Sequence, residues 1–219
     1  MISPPTIDSS AIIDETALRT QILRTAQDQF FAHGFSKVTT DELAGALGIS
    51  KKTLYQQFSS KEEMIRESIY LMRNEMVTEI NGIVEDPQAD FVEKLRSLMN
   101  VIGRKVCRMQ RPFLDDLRRK MPELWKEIED YRRERILTVF ERLIHEGSQR
   151  GMLRKDVDTR LFVMMFFTII QNMINPTVLS DLPYTLGQVF QTFIRVMMEG
   201  VLTDEARQRY QDDGTLSIE

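Results

Sequence analysis

Lys51, Lys52, Thr53, Tyr55 and Gln56 fall within one short segment, and together they carry the groups that recognise a nucleic acid. A Lys ammonium donates to guanine O6 and N7, a Gln amide pairs with an adenine edge, and Thr and Tyr hydroxyls reach phosphate oxygens. Other chemistries are poorly supplied. Cys107 is the one cysteine, so no intrachain disulfide is possible, and the two histidines, His33 and His145, lie far apart. Neither a zinc set nor any other metal site is expected. The sequence offers no Ser/His/Asp constellation and no Gly-rich phosphate loop, and the adjacent Asp115 and Asp116 read as a solvated pair. No catalytic residue and no cofactor is therefore expected. Two rivals stand beside the nucleic-acid reading. One is a helical enzyme or scaffold in which the segment 40–58 is incidental. The other is a structural DNA-binding protein without an effector.

A recognition surface needs a rigid mount. Leu18, Ile22, Ala26 and Phe30 recur every four residues and predict a first helix. Gly34 ends it, with Phe35 placed to fold back on the last turn. Thr39 and Glu42 form a capping box, and Val38 with Leu43 fit the accompanying hydrophobic staple, so a second helix runs to about Leu47. Gly48 stops that helix, Ser50 caps a third one ending near Phe58, and Ser60 with Glu63 form another capping box that opens a long fourth helix. Ala44 lies where the two short helices cross and must be small. Leu43, Leu47, Ile49, Leu54 and Phe58 supply their apolar faces. This is the helix-turn-helix arrangement. With Leu54 and Phe58 inward, a rotation of 100° per residue points Lys52 and Gln56 outward, flanked by Thr53 and Tyr55. Lys51, Thr40 and Lys61 sit at helix starts, where free amides and positive charge favour phosphate.

The net charge of −4 argues against non-specific coating of nucleic acid, yet within 36–61 the bases Lys37, Lys51, Lys52 and Lys61 outnumber Asp41 and Glu42. After Asp86-Pro87 the pattern predicts helices at 89–106, 111–120, 122–150, 158–179 and 182–202. Pro112, Pro122 and Pro183 suit first turns, and Gly151 closes the longest helix. The fold class is all-α. A three-helix helix-turn-helix domain at 15–62 precedes a larger helical regulatory and dimerisation domain at 63–203. Residues 1–14 read as a disordered arm and 204–219 as a flexible tail. The start of the chain lacks the pattern of a signal peptide. The apolar run Leu161–Ile170 stops at Gln171, short of the about 20 residues of a membrane span. The expected compartment is the cytoplasm, with no membrane partner.

Residues 18–66 are similar to the N-terminal domain of the TetR family of transcriptional regulators. The resemblance is carried by Ala26, Phe30, Gly34, Phe35, Thr39-Thr40, Leu43-Ala44, Gly48-Ile49-Ser50, Thr53-Leu54-Tyr55, Phe58 and Lys61-Glu62-Glu63. It implies that Thr40, Tyr55 and Lys61 contact phosphates and that Lys51, Lys52, Thr53 and Gln56 read bases. It also implies a homodimer on a palindromic operator in double-stranded DNA, released by a small-molecule effector. Gly45 departs from a good second helix at a cost of about 1 kcal/mol relative to Ala.

The chain beyond residue 70 is longer than dimerisation alone needs. Met72, Met76, Met99, Met109, Phe113 and Trp125 are candidate walls of a pocket, polarizable surfaces with few fixed charges that suit a small apolar or amphipathic effector. Two late helices are apolar nearly all round. They suggest a four-helix dimer interface, with Phe162, Phe166, Ile170, Phe190, Phe193 and Met197 as candidate contacts. Cys107, beside Lys105 and Arg108, reads either as a redox-sensitive thiol or as a structural buried one.

Overall fold

The computed structural model describes residues 9–173 and 183–212. Ten helices run through them: α1 (Ser9–His33), α2 (Thr40–Leu47), α3 (Lys51–Gln57), α4 (Lys61–Glu85), α5 (Phe91–Cys107), α6 (Arg111–Lys120), α7 (Pro122–Gln149), α8 (Thr159–Met173), α9 (Leu186–Val201) and α10 (Asp204–Asp212). No strand is present among the described residues; one isolated bridge pairs Leu153 with Leu202.

The first four helices form as their caps dictate. Thr39 accepts from Glu42 N–H at 3.2 Å while Glu42 accepts from Thr39 N–H at 2.7 Å, the reciprocal box of the sequence. The second predicted box closes differently. Ser60 accepts from Glu63 N–H at 3.1 Å, but the Glu63 carboxylate takes the N–H of Ser59 at 2.6 Å, one residue further out. Gly34 has φ 79°, and a Cβ there would stand 2.8 Å from Asp116 Oδ2 and 2.9 Å from Pro112 O. Only glycine fits both the left-handed turn and the close approach of α6.

Ile22, Ala26 and Phe30 are fully buried on one stripe of α1, with Leu43, Leu54 and Phe58 buried against the same core. Each large apolar side chain so buried stabilises the fold by about 1.5–3 kcal/mol. The stripe packs on α4, joined by the Gln27 amide donating to Ser68 O at 2.8 Å. In the larger part α5 is central, touching α4, α7, α9 and α10. It carries the buried Leu95, Leu98 and Met99.

The boundaries depart from the sequence reading in three places. Helix α1 starts at Ser9, inside the segment expected to be disordered; residues 1–8 lie outside the described residues. Pro183 precedes rather than opens a helix, because Thr185 and Gln188 form a capping box and α9 begins at Leu186. The expected flexible tail includes α10, which packs on α5 with Ala206 fully buried and Arg209 paired with Asp90. Residues 174–182 and 213–219, parts of the predicted helices and tail, lie outside the described residues.

Candidate nucleic-acid interface and effector cavity

Helix α3 is mounted by groups from three neighbours. Ile49 N–H donates to Ala44 O at 3.0 Å across the left-handed Gly48, and Ser50 caps α3 through Thr53 N–H at 3.0 Å. Arg19 of α1 lies over the Phe58 ring at 4.0 Å, donates to Gln57 O and pairs with Glu67 of α4 at 2.6 Å. The helix is seated on buried Leu54 and Phe58. Lys51, Lys52, Tyr55 and Gln56 are exposed and Thr53 is half-buried, so one solvent-facing surface collects them.

These side chains are not equally free. Lys51 pairs with Asp41 at 2.8 Å, and that hydrogen bond holds its pKa above the usual lysine value. Lys61 donates to Val38 O and lies 5.9 Å from the centre of the Phe30 ring; burial pushes its pKa down. Thr40 is buried, at 9% exposure, and its backbone amide is one of those at the first turn of α2.

A cavity of about 140 Å³ opens between α4, α5, α6 and α7, with α8 and α9 closing part of its wall. The structure brings Met72, Met76, Met99, Met109, Phe113 and Trp125 together in its wall. The sequence reading missed two features here. The wall also carries Arg73, Lys105, Arg132 and Arg135, so it is not poor in fixed charge. The signal was present on α7, where Trp125, Ile128, Arg132, Arg135 and Val139 recur at spacings of three and four along one face. In addition, Phe113 packs 4.6 Å from Phe31 and 6.1 Å from Phe35, so one wall residue touches the helix-turn-helix unit directly.

The candidate dimer residues divide. Phe162, Phe166, Ile170 and Phe190 face inward and are 1–6% exposed, with Phe166 stacked on Phe140 at 3.9 Å. In the single chain they pack into the core, and Phe166, Ile170 and Phe190 also line the cavity. Because α8 is apolar all round, composition did not show which face points in. The outward residues are Leu161, Met164 and Met165 on α8 and Val196 on α9, each 49–60% exposed, with Phe193 and Met197 of α9 half-buried. Cys107 is half-buried, and burial pushes its thiol up to about 11, which makes it a poor redox sensor near neutral pH. Among the described residues no group of His, Cys, Asp and Glu could hold a metal ion, and no helix is long and apolar enough to cross a membrane.

A helix-turn-helix head joined by one long helix to a cavity-bearing helical body defines a DNA-binding regulator. Comparison with known proteins gives the same class. Residues 22–67 match the bacterial regulatory proteins of the tetR family, and residues 74–200 match the YsiA-like protein C-terminal region. The chain belongs to the TetR family, whose members are DNA-binding transcriptional regulators and not enzymes. It is 26% identical over 172 residues to the uncharacterized HTH-type transcriptional regulator YvaF of Bacillus subtilis, covering 78% of this chain and 89% of that one. It is 28% identical over 180 residues to the nucleoid occlusion factor SlmA of Vibrio campbellii, covering 78% and 88%. A TetR-family regulator from Marinobacter aquaeolei shares the fold with a TM-score of 0.64 at 20% identity, covering 89% of this chain and 95% of that one.

Proposed function

We propose that this chain is a cytoplasmic repressor that binds a palindromic operator as a homodimer and is released by a small apolar or amphipathic effector. The head, residues 15–62, reads DNA, and the body, 63–203, senses and dimerises. In the head Lys52 and Gln56 read base edges, assisted by Lys51 and Thr53, while Thr40, Tyr55 and Lys61 hold phosphates. Two such heads related by a two-fold axis enter successive major grooves about 34–36 Å apart.

The observation that carries the reading is the shared wall. The cavity is bounded by α4, which starts in the head as Lys61–Glu85, and by Phe113, which packs on Phe31 of α1. A ligand that repositions these walls changes the separation of the two recognition helices. A ligand binding the splayed state about 100-fold better than the DNA-competent state shifts the balance by about 2.7 kcal/mol, enough to release a marginally occupied operator.

Paired titrations test it. Operator affinity should fall as effector is added, and effector affinity should fall by the same factor when operator saturates the protein, as linkage demands. A tightly bound cavity ligand that leaves operator affinity unchanged would favour the rival, a DNA-binding protein without effector control.

A further inference from the structure

Four basic side chains stand in the cavity wall, and three of them are engaged. Lys105 pairs with Glu75 at 2.9 Å and Glu79 at 3.0 Å. Arg73 lies 4.6 and 4.9 Å from the centres of the Tyr70 and Tyr131 rings and 3.7 Å from a Glu127 oxygen. Arg135 donates to Asn81 Oδ1 at 3.0 Å. Arg132 differs. Its Nε is buried and has no hydrogen-bond partner among the described residues.

Arg132 as a whole is half-buried, and a guanidinium whose Nε is sealed from solvent without an acceptor carries a desolvation cost that it cannot shed by losing its proton at working pH. Burial pushes the Arg132 pKa down, and Glu129 offsets that only in part and through space. The position of the charge is also specific. Ile128, one turn before it, and Val139, two turns after it, line the same cavity from the same face of α7. The free cation therefore lies within an apolar surface that extends along the helix on either side.

We propose that Arg132 anchors the head of an anionic amphipath, and that the cavity takes a molecule with one carboxylate and an aliphatic or alicyclic body. The proposal rests on reading the cavity as the effector site. A carboxylate presents two acceptor oxygens to the guanidinium fork and makes charge-assisted hydrogen bonds with it. One free positive charge calls for a monoanion, because a dianionic phosphate would leave one negative charge buried in turn.

Trp125 is the one tryptophan and stands in the cavity wall, so its fluorescence reports occupancy directly. Dodecanoate and dodecanol, each below its aggregation concentration, share a tail and differ in charge. The full-length protein should bind dodecanoate at least about tenfold more tightly than dodecanol. Arg132→Gln should abolish that preference while leaving dodecanol affinity within about twofold, and Arg132→Lys should keep part of it. The unchanged alcohol affinity also shows that the variant cavity is folded. Equal affinities in the wild-type protein would overturn the proposal, as would equal losses for both probes in Arg132→Gln. If neither probe moves the Trp125 emission, the inference falls. Release of operator by an uncharged ligand would then still leave the repressor reading standing.

Discussion

Gln56 and Lys61 are held in opposite ways. Gln56 stands exposed on α3 with no hydrogen-bond partner for its amide among the described residues, which leaves its donor and acceptor pair for a base edge. Lys61 is half-buried and already donates to Val38 O, so a phosphate contact must share or displace that bond. Gln56→Ala should therefore lose about 1–3 kcal/mol of discrimination at one base pair of each half-site. The measurement is anisotropy titration against an operator selected from random duplexes, with each base pair varied in turn. Equal losses at every position would remove Gln56 from the reading set. At this scale the sequence was legible where a local rule applies. The 100° rotation placed Lys52 and Gln56 outward, and the Thr39-Glu42 box closed as read. It was illegible where burial depends on distant chain. The partnering of Lys51 by Asp41, of Lys61 by Val38 and the unpartnered Nε of Arg132 are tertiary facts with no local signature.

At the scale of elements, α6 matters more than its ten residues suggest. The periodicity and Pro112 made its existence plain, but nothing in the sequence says that it lies against the head. In the structure Phe113, Leu114 and Leu117 of α6 line the cavity. An adjoining side of the same helix holds the α1–α2 turn: Asp116 accepts from Ser36 N–H at 2.7 Å and from the Ser36 hydroxyl. Just before α6, Gln110 N–H donates to Phe31 O at 2.8 Å. Two elements thus connect the cavity to the head, the continuous α4 and the short α6. If α6 transmits part of the signal, Asp116→Ala should leave operator affinity and effector affinity each nearly unchanged when measured alone. It should lower the coupling between them by about 0.5–2 kcal/mol. The same paired titrations report it. An unchanged coupling factor would assign the whole transmission to α4.

At the scale of the whole molecule, the proposed homodimer needs a surface to close it. The inward faces of α8 and α9 are spent on the core around Phe140, Phe166 and Ile194. What stays exposed is Leu161, Met164 and Met165 on α8 and Val196 on α9, two helices that are neighbours in the fold. Single exposed apolar residues need no explanation, but several on two neighbouring helices are candidates for an interaction surface. A two-fold axis through these residues would stack two helices from each subunit into a four-helix seam, the geometry that sets the two heads at a fixed spacing. Symmetry sharpens the test, because one substitution acts twice per dimer. Met164→Lys places two ammonium groups in the seam, and burying unpaired charge costs several kcal/mol. The dimer dissociation constant should rise by at least about a hundredfold, since each 1.4 kcal/mol is tenfold. Sedimentation should then find monomer at micromolar concentration, with an unchanged helical spectrum because Met164 is 58% exposed in the single chain. Operator affinity should fall in parallel, as a lone head meets only one half-site. Phe166→Lys is the contrasting variant: it strikes the core, so helical signal and thermal stability should collapse with it. A Met164→Lys protein that remains dimeric would place the axis elsewhere on the molecule.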